Sequence, residues 1–134
     1  MSNWKLINKT YLYDGTFYGL LTIVFDSYIH KTLPQKIYNK DTYIYNFLDK
    51  TIEITTDFDK SQRVFNGIEK NIGYKALYNS YYAFLSNEEN KEIYILKYLK
   101  DYLDFKKLAI IYAMLLSILI IIIIKIIKLS MARI

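Results

Sequence analysis

The stretch YLYDGTFYGLLTIVFDSY, residues 11–28, decides the fold, because two different residue patterns meet inside it. Aromatic and polar residues alternate over residues 9–13, which is typical of a short strand. Asp14 and Gly15 follow, and this dipeptide favours a turn because glycine tolerates a positive φ. Apolar residues then recur at helical spacing, which predicts an amphipathic helix over residues 16–30.

The next segment contains one irregular stretch and one regular stretch. Pro34, the single proline, ends the helical pattern. Residues 36–50 mix aromatic and polar side chains without a period, so we expect irregular structure there. Residues 51–55 alternate again, with two isoleucines on one face, and this predicts a second strand.

Three more sets of apolar residues recur at helical spacing before residue 104. The predicted helices cover residues 56–73, 74–85 and 86–103. Thr56 with Asp59 resembles a capping box for the first of them, and Ser86 with Glu89 for the third. We therefore predict an α+β fold that is mostly helical, with four amphipathic helices and about two short strands, followed by a hydrophobic C-terminal helix.

The charged residues divide the chain into two parts. All 13 acidic residues lie before Leu108, and so do 15 of the 18 lysines and arginines. We therefore expect residues 1–107 to form one α-rich domain with a net charge of about +2, which attracts nucleic acid only weakly. Residues 108–134 form a separate hydrophobic segment. The chain has no cysteine, which excludes a disulfide framework, a thiolate nucleophile and a zinc-thiolate site.

The run LAIIYAMLLSILIIIII, residues 108–124, has 17 residues without a charge and predicts a single transmembrane helix. At about 1.5 Å per residue it is about 26 Å long, slightly shorter than the hydrocarbon core of about 30 Å. It is apolar on every side, whereas a surface helix of a soluble protein keeps a polar face. The expected anchor positions are Leu108, Ile111, Leu115, Leu119 and Ile124.

Two cellular locations are compatible with this segment. The N-terminus has no apolar core of the kind found in a secretory signal peptide. We therefore expect a membrane protein with a single-pass C-terminal anchor and a cytoplasmic domain. The alternative is a cytoplasmic protein in which the hydrophobic helix is buried.

Four stretches of the domain resemble one known family. They are residues 11–28, IEITTDFDKSQRVFNGI at residues 52–68, YYAFLS at residues 81–86 and IYILKYLK at residues 93–100. Together they resemble the N-terminal half of the bacterial family called probable DNA metabolism protein. The resemblance implies a partner of a radical S-adenosylmethionine protein of DNA modification or repair. Some members of that family are joined to a uracil-DNA glycosylase-like domain.

The C-terminal part of the family pattern is missing from this chain. Members of the family continue into a basic, histidine-containing helical region, where this chain has LAIIYAMLLS and the isoleucine run. The resemblance therefore implies an accessory or binding module in DNA metabolism or repair that is truncated. The competing interpretation is a membrane-anchored structural or interaction protein without a role on DNA.

The sequence contains no complete catalytic site, no set of metal ligands and no cofactor motif. His30 is the single histidine, and the four glycines do not form a phosphate loop. The most unusual feature is the presence of 14 tyrosines before Leu108, because aromatic rings can stack on bases. The candidate residues for binding nucleic acid or a partner are Tyr11, Tyr13, Asp14, Arg63, Tyr81 and Tyr82.

Each kind of candidate residue also has a structural explanation. Tyrosines pack at the rim of a core with the hydroxyl in water, aspartates cap turns and helices, and surface arginines form salt bridges. If the tyrosines do bind bases, the small charge predicts weak, salt-sensitive binding that prefers single-stranded DNA.

Overall fold

The computed structural model describes residues 4–133, without the side chains of residues 105 and 106. This part of the chain forms three strands and four helices, which confirms an α+β fold that is mostly helical. In chain order these are β1 (Lys5–Tyr13), α1 (Phe17–His30), β2 (Thr32–Asn39), β3 (Thr51–Glu53), α2 (Phe58–Asn71), α3 (Tyr74–Leu85) and α4 (Lys91–Ala132).

The three strands form one parallel sheet in the order β2-β1-β3. The middle strand, β1, pairs with β2 along most of its length and with β3 over three residues near its carboxyl end. α1 connects β1 to β2, since a parallel pair needs a crossover between its strands. The sequence therefore begins with a β-α-β unit, and α2, α3 and α4 follow the sheet.

The prediction of irregular structure over residues 36–50 is wrong for residues 36–39, which belong to strand β2. Pro34 lies inside β2, where it is buried and stands opposite Ile7 of β1. A proline is tolerated there because β2 is an edge strand, in which amide groups on the open side need no partner. The register shifts between Ile7 and Thr10 of β1, so the pairing does not follow the even alternation by which strands are recognised.

Neither predicted capping box forms. The N-cap of α2 is Asp57 rather than Thr56, and its carboxylate accepts a hydrogen bond from the backbone N–H of Lys60 at 3.1 Å. Ser86 ends α3 as its C-cap, and α4 begins after Asn90, which has a φ of 59°. Thr56 and Ser86 thus lie close to the ends of helices, but the N-caps of α2 and α4 are Asp57 and Asn90.

The fourth amphipathic helix and the hydrophobic segment form one continuous helix, α4, of 42 residues. At about 1.5 Å per residue it is about 63 Å long. Its first part packs on the domain through Ile95, Leu96 and Leu99, which are all buried. The same helix then continues past Leu108 as the hydrophobic segment.

The core of the domain lies where α1 meets the sheet and the other helices. α1 contributes Leu20, Leu21, Ile23 and Val24 to it. A buried pair of hydroxyls joins α1 to α2, because the side-chain oxygens of Thr22 and Ser61 lie 2.9 Å apart. These contacts hold α1 and α2 side by side.

Candidate functional site

The first two predicted site residues, Tyr11 and Tyr13, lie in the central strand. Tyr11 is half-buried and packs against the core, and its pKa is raised, mainly by burial. Tyr13 is only 1% exposed, so its ring cannot stack on a base. Its hydroxyl donates a hydrogen bond to a carboxylate oxygen of Glu92 at 2.8 Å. Burial and this carboxylate raise the pKa of Tyr13 well above its ordinary value, so that the phenol stays protonated and ties β1 to α4.

Asp14, the third predicted residue, holds a turn together. Its carboxylate accepts hydrogen bonds from the backbone N–H of Thr16 at 3.0 Å, from the Thr16 hydroxyl at 2.6 Å and from the Thr56 hydroxyl at 2.7 Å. Burial alone would raise the pKa of Asp14, but these hydrogen bonds and the charge of Lys40 hold the pKa below its ordinary value. The carboxylate therefore links the end of β1 to the segment before α2, which is a structural role.

Arg63 lies on the exposed face of α2 and forms an ion pair with Asp59 at 3.5 Å, one helical turn earlier. It lines a groove between α1 and α2 that also contains Leu103 of α4. Tyr81 lines a different cavity, described next. The predicted residues thus do not form one site, because they are distributed over the core, a turn and two separate surfaces.

Tyr81 lies in a cavity between α1, α2 and α3 that we call the aromatic cleft. The cavity has a volume of about 460 Å³, and none of its lining residues is charged. It is lined by Phe17, Tyr18, Phe65, Tyr74, Leu77, Tyr78, Tyr81 and Phe84. Within the described residues, this cleft is the aromatic surface that a ligand ring could enter.

The rings around the cleft contact one another at different angles, and one pair is nearly perpendicular. The ring of Phe17 lies 5.2 Å from that of Tyr81 with 83° between their planes. Tyr82 stands beside the cleft, where its hydroxyl oxygen lies 2.5 Å from that of Tyr78. This hydrogen bond raises the pKa of Tyr78 above its ordinary value.

Sequence reasoning identified two tyrosines at this surface but missed most of the cleft. The missed signal is the spacing of Tyr74, Tyr78 and Tyr82, which places three tyrosines along one face of α3. No sequence spacing marked the residues that α1 and α2 add to the cleft, because their aromatic residues resemble ordinary core residues of amphipathic helices.

A second cavity lies at the carboxyl ends of β1 and β2 and is polar. Its volume is also about 460 Å³. Asn39 and Thr42 line one side, and Glu88, Glu89 and Glu92 line the other. The crevice beyond the carboxyl ends of parallel strands is where many α/β proteins bind ligands. The described residues contain no group of three or more metal-ligating side chains placed to hold an ion.

The predicted anchor residues are all exposed, because the part of α4 on which they lie is not buried by the domain. Their exposed fractions are 40% for Leu108, 51% for Ile111, 57% for Leu115, 52% for Leu119 and 48% for Ile124. By length and composition, α4 is able to cross a membrane, and no residue of its most apolar window is buried by the domain. The Ser117 hydroxyl, in the middle of the run, donates a hydrogen bond to the Ala113 carbonyl at 3.0 Å.

Comparison with known proteins gives no match: no family model, no curated protein and no solved structure matches the chain. The functional interpretation therefore rests on the geometry of the two parts of α4 and on the surfaces described above.

Proposed function

We propose that the protein is a single-pass membrane protein, in which a small α+β binding domain is held at the cytoplasmic face of a membrane by α4. The observation that carries this proposal is that the domain buries no residue in the most apolar window of α4. The side chains of its leucines and isoleucines are 40% to 63% exposed. In water this surface would be unfavourable by about 25 cal/mol per Å².

The energy of insertion supports a membrane over water. Residues 108–124 contain 12 leucines and isoleucines. At about 0.3 to 0.6 kcal/mol each in the middle of a membrane helix, they favour insertion by about 4 to 7 kcal/mol. Lys125 adds little cost, because its long side chain reaches the headgroups while Ile126 and Ile127 lengthen the apolar span.

The distribution of positive charge favours a cytoplasmic domain. Residues 88–107, next to the span on the domain side, contain five lysines. On the other side the sequence has two lysines and one arginine. Because the more positive flank of a membrane helix stays in the cytoplasm, the domain is expected there.

Extraction from membranes tests this proposal. The full chain should stay in the membrane pellet after an alkaline carbonate wash, and a chain that ends at Lys107 should be released. Ile118→Lys combined with Leu119→Lys should release the full chain, because each central lysine costs about 2.5 to 3.5 kcal/mol. The matched control, Leu129→Lys combined with Met131→Lys, lies beyond Lys125 and should stay in the pellet. Release of the unmodified chain by carbonate would contradict the proposal.

We keep a second proposal, an accessory role in DNA metabolism beside a radical S-adenosylmethionine protein. It rests on the sequence resemblance, and the observation that favours it is the exposure of Tyr81 and Tyr82, at 44% and 55%. Exposed rings can stack on bases, but the aromatic cleft has no lysine or arginine in its lining to bind phosphates. Copurification of the full chain with such an enzyme from its own cells is the test of the partner.

A further inference from the structure

We propose that the end of the domain beside the membrane binds anionic lipid headgroups. The surface consists of Trp4, Lys5 and Lys31, which contacts place together, and of Lys97 and Lys107, which lie on either side of Lys100 along α4; we call it the basic face. This proposal rests on the proposed function, because it requires α4 to cross a bilayer. It adds a preference for one class of lipid.

The contacts of α4 put Trp4 near the bilayer. The Lys100 ammonium lies 5.4 Å from the centre of the Trp4 ring. Lys100 precedes Leu108 by eight residues, which is about 12 Å along the helix. The headgroup layer on each side of the hydrocarbon core is about 5 to 7 Å thick, and charges act over a Debye length of about 8 Å at physiological salt. Trp4 and its neighbours are therefore within reach of the headgroups.

Two lysines and two aromatic rings, at the start of β1 and the end of α1, form the part of the basic face that α4 does not supply. The Lys31 ammonium lies 3.7 Å from the centre of the Tyr28 ring and 5.5 Å from that of Trp4. Lys5 is tied to the same place, because its backbone N–H donates to the Lys31 carbonyl at 2.8 Å. Tryptophan, tyrosine and lysine together are the residues enriched at the interface between a membrane and water.

Three of the four lysines of the basic face belong to none of the ion pairs among the described residues. Among the described residues, ion pairs involve Lys40, Lys60, Arg63 and Lys100. Lys5, Lys31 and Lys97 are exposed and form none of these pairs.

The two nearby carboxylates that α4 supplies exceed the charge of Lys100 by one, which leaves about +3 of the +4 carried by the four lysines of the basic face. Asp101 and Asp104 lie 3.5 Å and 3.3 Å from the Lys100 ammonium, so they offset that lysine first.

The opposite end of the domain has the opposite charge. Glu88 and Glu89 are exposed just before α4 begins, and Glu92 lies in its first turn. The domain is therefore acidic where α4 starts and basic where α4 approaches the bilayer. A lipid with a negative headgroup complements the second of these surfaces, and a zwitterionic lipid has no net charge to do so.

The single tryptophan of the chain lies in this surface, half-buried against the core, so its fluorescence reports on binding through the exposed part of its ring. The full chain is placed in vesicles of phosphatidylcholine alone, or of phosphatidylcholine with about 30% phosphatidylglycerol, which supplies the negative surface potential. Quenching of Trp4 by acrylamide is then measured at low and at high salt. We expect quenching to fall at least about twofold in the anionic vesicles at low salt, and high salt should remove the difference because it screens the attraction.

Two matched variants identify the lysines involved. Lys5→Gln, Lys31→Gln and Lys97→Gln together should abolish the dependence on anionic lipid, since each lysine near the surface changes the equilibrium about fivefold. The control combines Lys36→Gln, Lys40→Gln and Lys50→Gln, which removes the same charge from β2 and the segment after it, and it should behave like the unmodified chain. For each variant, quenching in anionic vesicles is compared with quenching in neutral vesicles. A substitution that alters the surroundings of Trp4 in both kinds of vesicle therefore does not change this comparison.

Two other outcomes have separate meanings. If the chain resists carbonate extraction from both kinds of vesicle but Trp4 is quenched equally in them, the lipid preference is wrong and the membrane anchor stands. If the chain is washed out of both kinds of vesicle, the anchor and the lipid preference are both wrong.

Discussion

The two parts of α4 have similar apolar residues and opposite surroundings. In the first part Leu96 and Leu99 are completely buried, whereas in the second part Leu115 and Leu119 are 57% and 52% exposed. The first part alternates its buried leucines with exposed residues such as Lys97, and the second has no polar face at all. A helix with one apolar face packs on a protein, and a helix that is apolar on all sides needs a partner on all sides, which a bilayer provides.

The largest expected effect comes from the same substitution placed in each part of α4. Leu96→Ala should lower the free energy of unfolding of the domain by about 2 to 5 kcal/mol, because it leaves a cavity in a packed core. Leu119→Ala should change it by less than about 0.5 kcal/mol, because the domain does not contact that side chain. Urea unfolding in a mild detergent, followed by Trp4 fluorescence, measures both. Equal losses would mean that the second part of α4 packs on the domain.

A smaller effect is expected where the first part of α4 is attached to the sheet. Tyr13→Phe removes the hydrogen bond to Glu92 and leaves a buried carboxylate without that donor, which should cost about 1 to 3 kcal/mol. Tyr82→Phe is the matched control at an exposed tyrosine and should cost less than about 0.5 kcal/mol. If Tyr82→Phe lowers the free energy of unfolding as much as Tyr13→Phe does, the hydrogen bond to Glu92 is not the cause of the loss.

This attachment also predicts a dependence on pH. The pKa of Tyr13 is raised in the folded domain, while in the unfolded chain it is about 10. The unfolded state therefore loses this proton first, so the free energy of unfolding should fall as the pH rises above about 10. Tyr13→Phe should make that fall less steep without removing it, because the pKa of Tyr11 is raised as well. An unchanged slope between pH 9 and 11, measured by urea unfolding, would contradict the assignment.

The smallest effect concerns the surface that belongs to neither part of α4. If the domain binds single-stranded DNA through exposed rings, Tyr81→Ala with Tyr82→Ala should weaken binding by about tenfold per stacked base. Tyr45→Ala is the control, because that tyrosine is 78% exposed and lies outside the aromatic cleft. Fluorescence anisotropy of a labelled oligonucleotide at low salt measures the affinity. Binding that is unchanged in the double variant, with an intact fold, would rule out stacking at these rings.

Much of the fold could be predicted because local signals were strong. The spacing of apolar residues gave α3 with its observed bounds, Tyr74–Leu85, and gave α1 and α2 within a few residues. β2 was missed because its proline and its shifted register hide the alternation that marks a strand. The capping box at Thr56 was misplaced because Thr56 bonds instead to Asp14, a residue distant in sequence, and the one at Ser86 because Ser86 bonds back to Ala83 at the end of α3.

The candidate surfaces were harder to predict for the same reason. Nothing local distinguishes Tyr13, which is buried against Glu92, from Tyr81, which lies at an open cleft. Only the position of Glu92, in the first turn of α4 and beside the end of β1, separates them. The exposure of the apolar part of α4 could be predicted, because the composition of a long run without charges is enough to indicate a membrane helix.

The most direct test of the membrane anchor uses the absence of cysteine from the chain. Single variants Asn79→Cys in α3, Leu119→Cys in the span and Ser130→Cys beyond it are labelled with a maleimide that does not cross membranes. In sealed vesicles, residue 79 should react only from the cytoplasmic side and residue 130 only from the other side. Residue 119 should react only after detergent is added. If residue 119 reacts in sealed vesicles as fast as residue 79, or if all three react from one side, α4 does not cross the membrane.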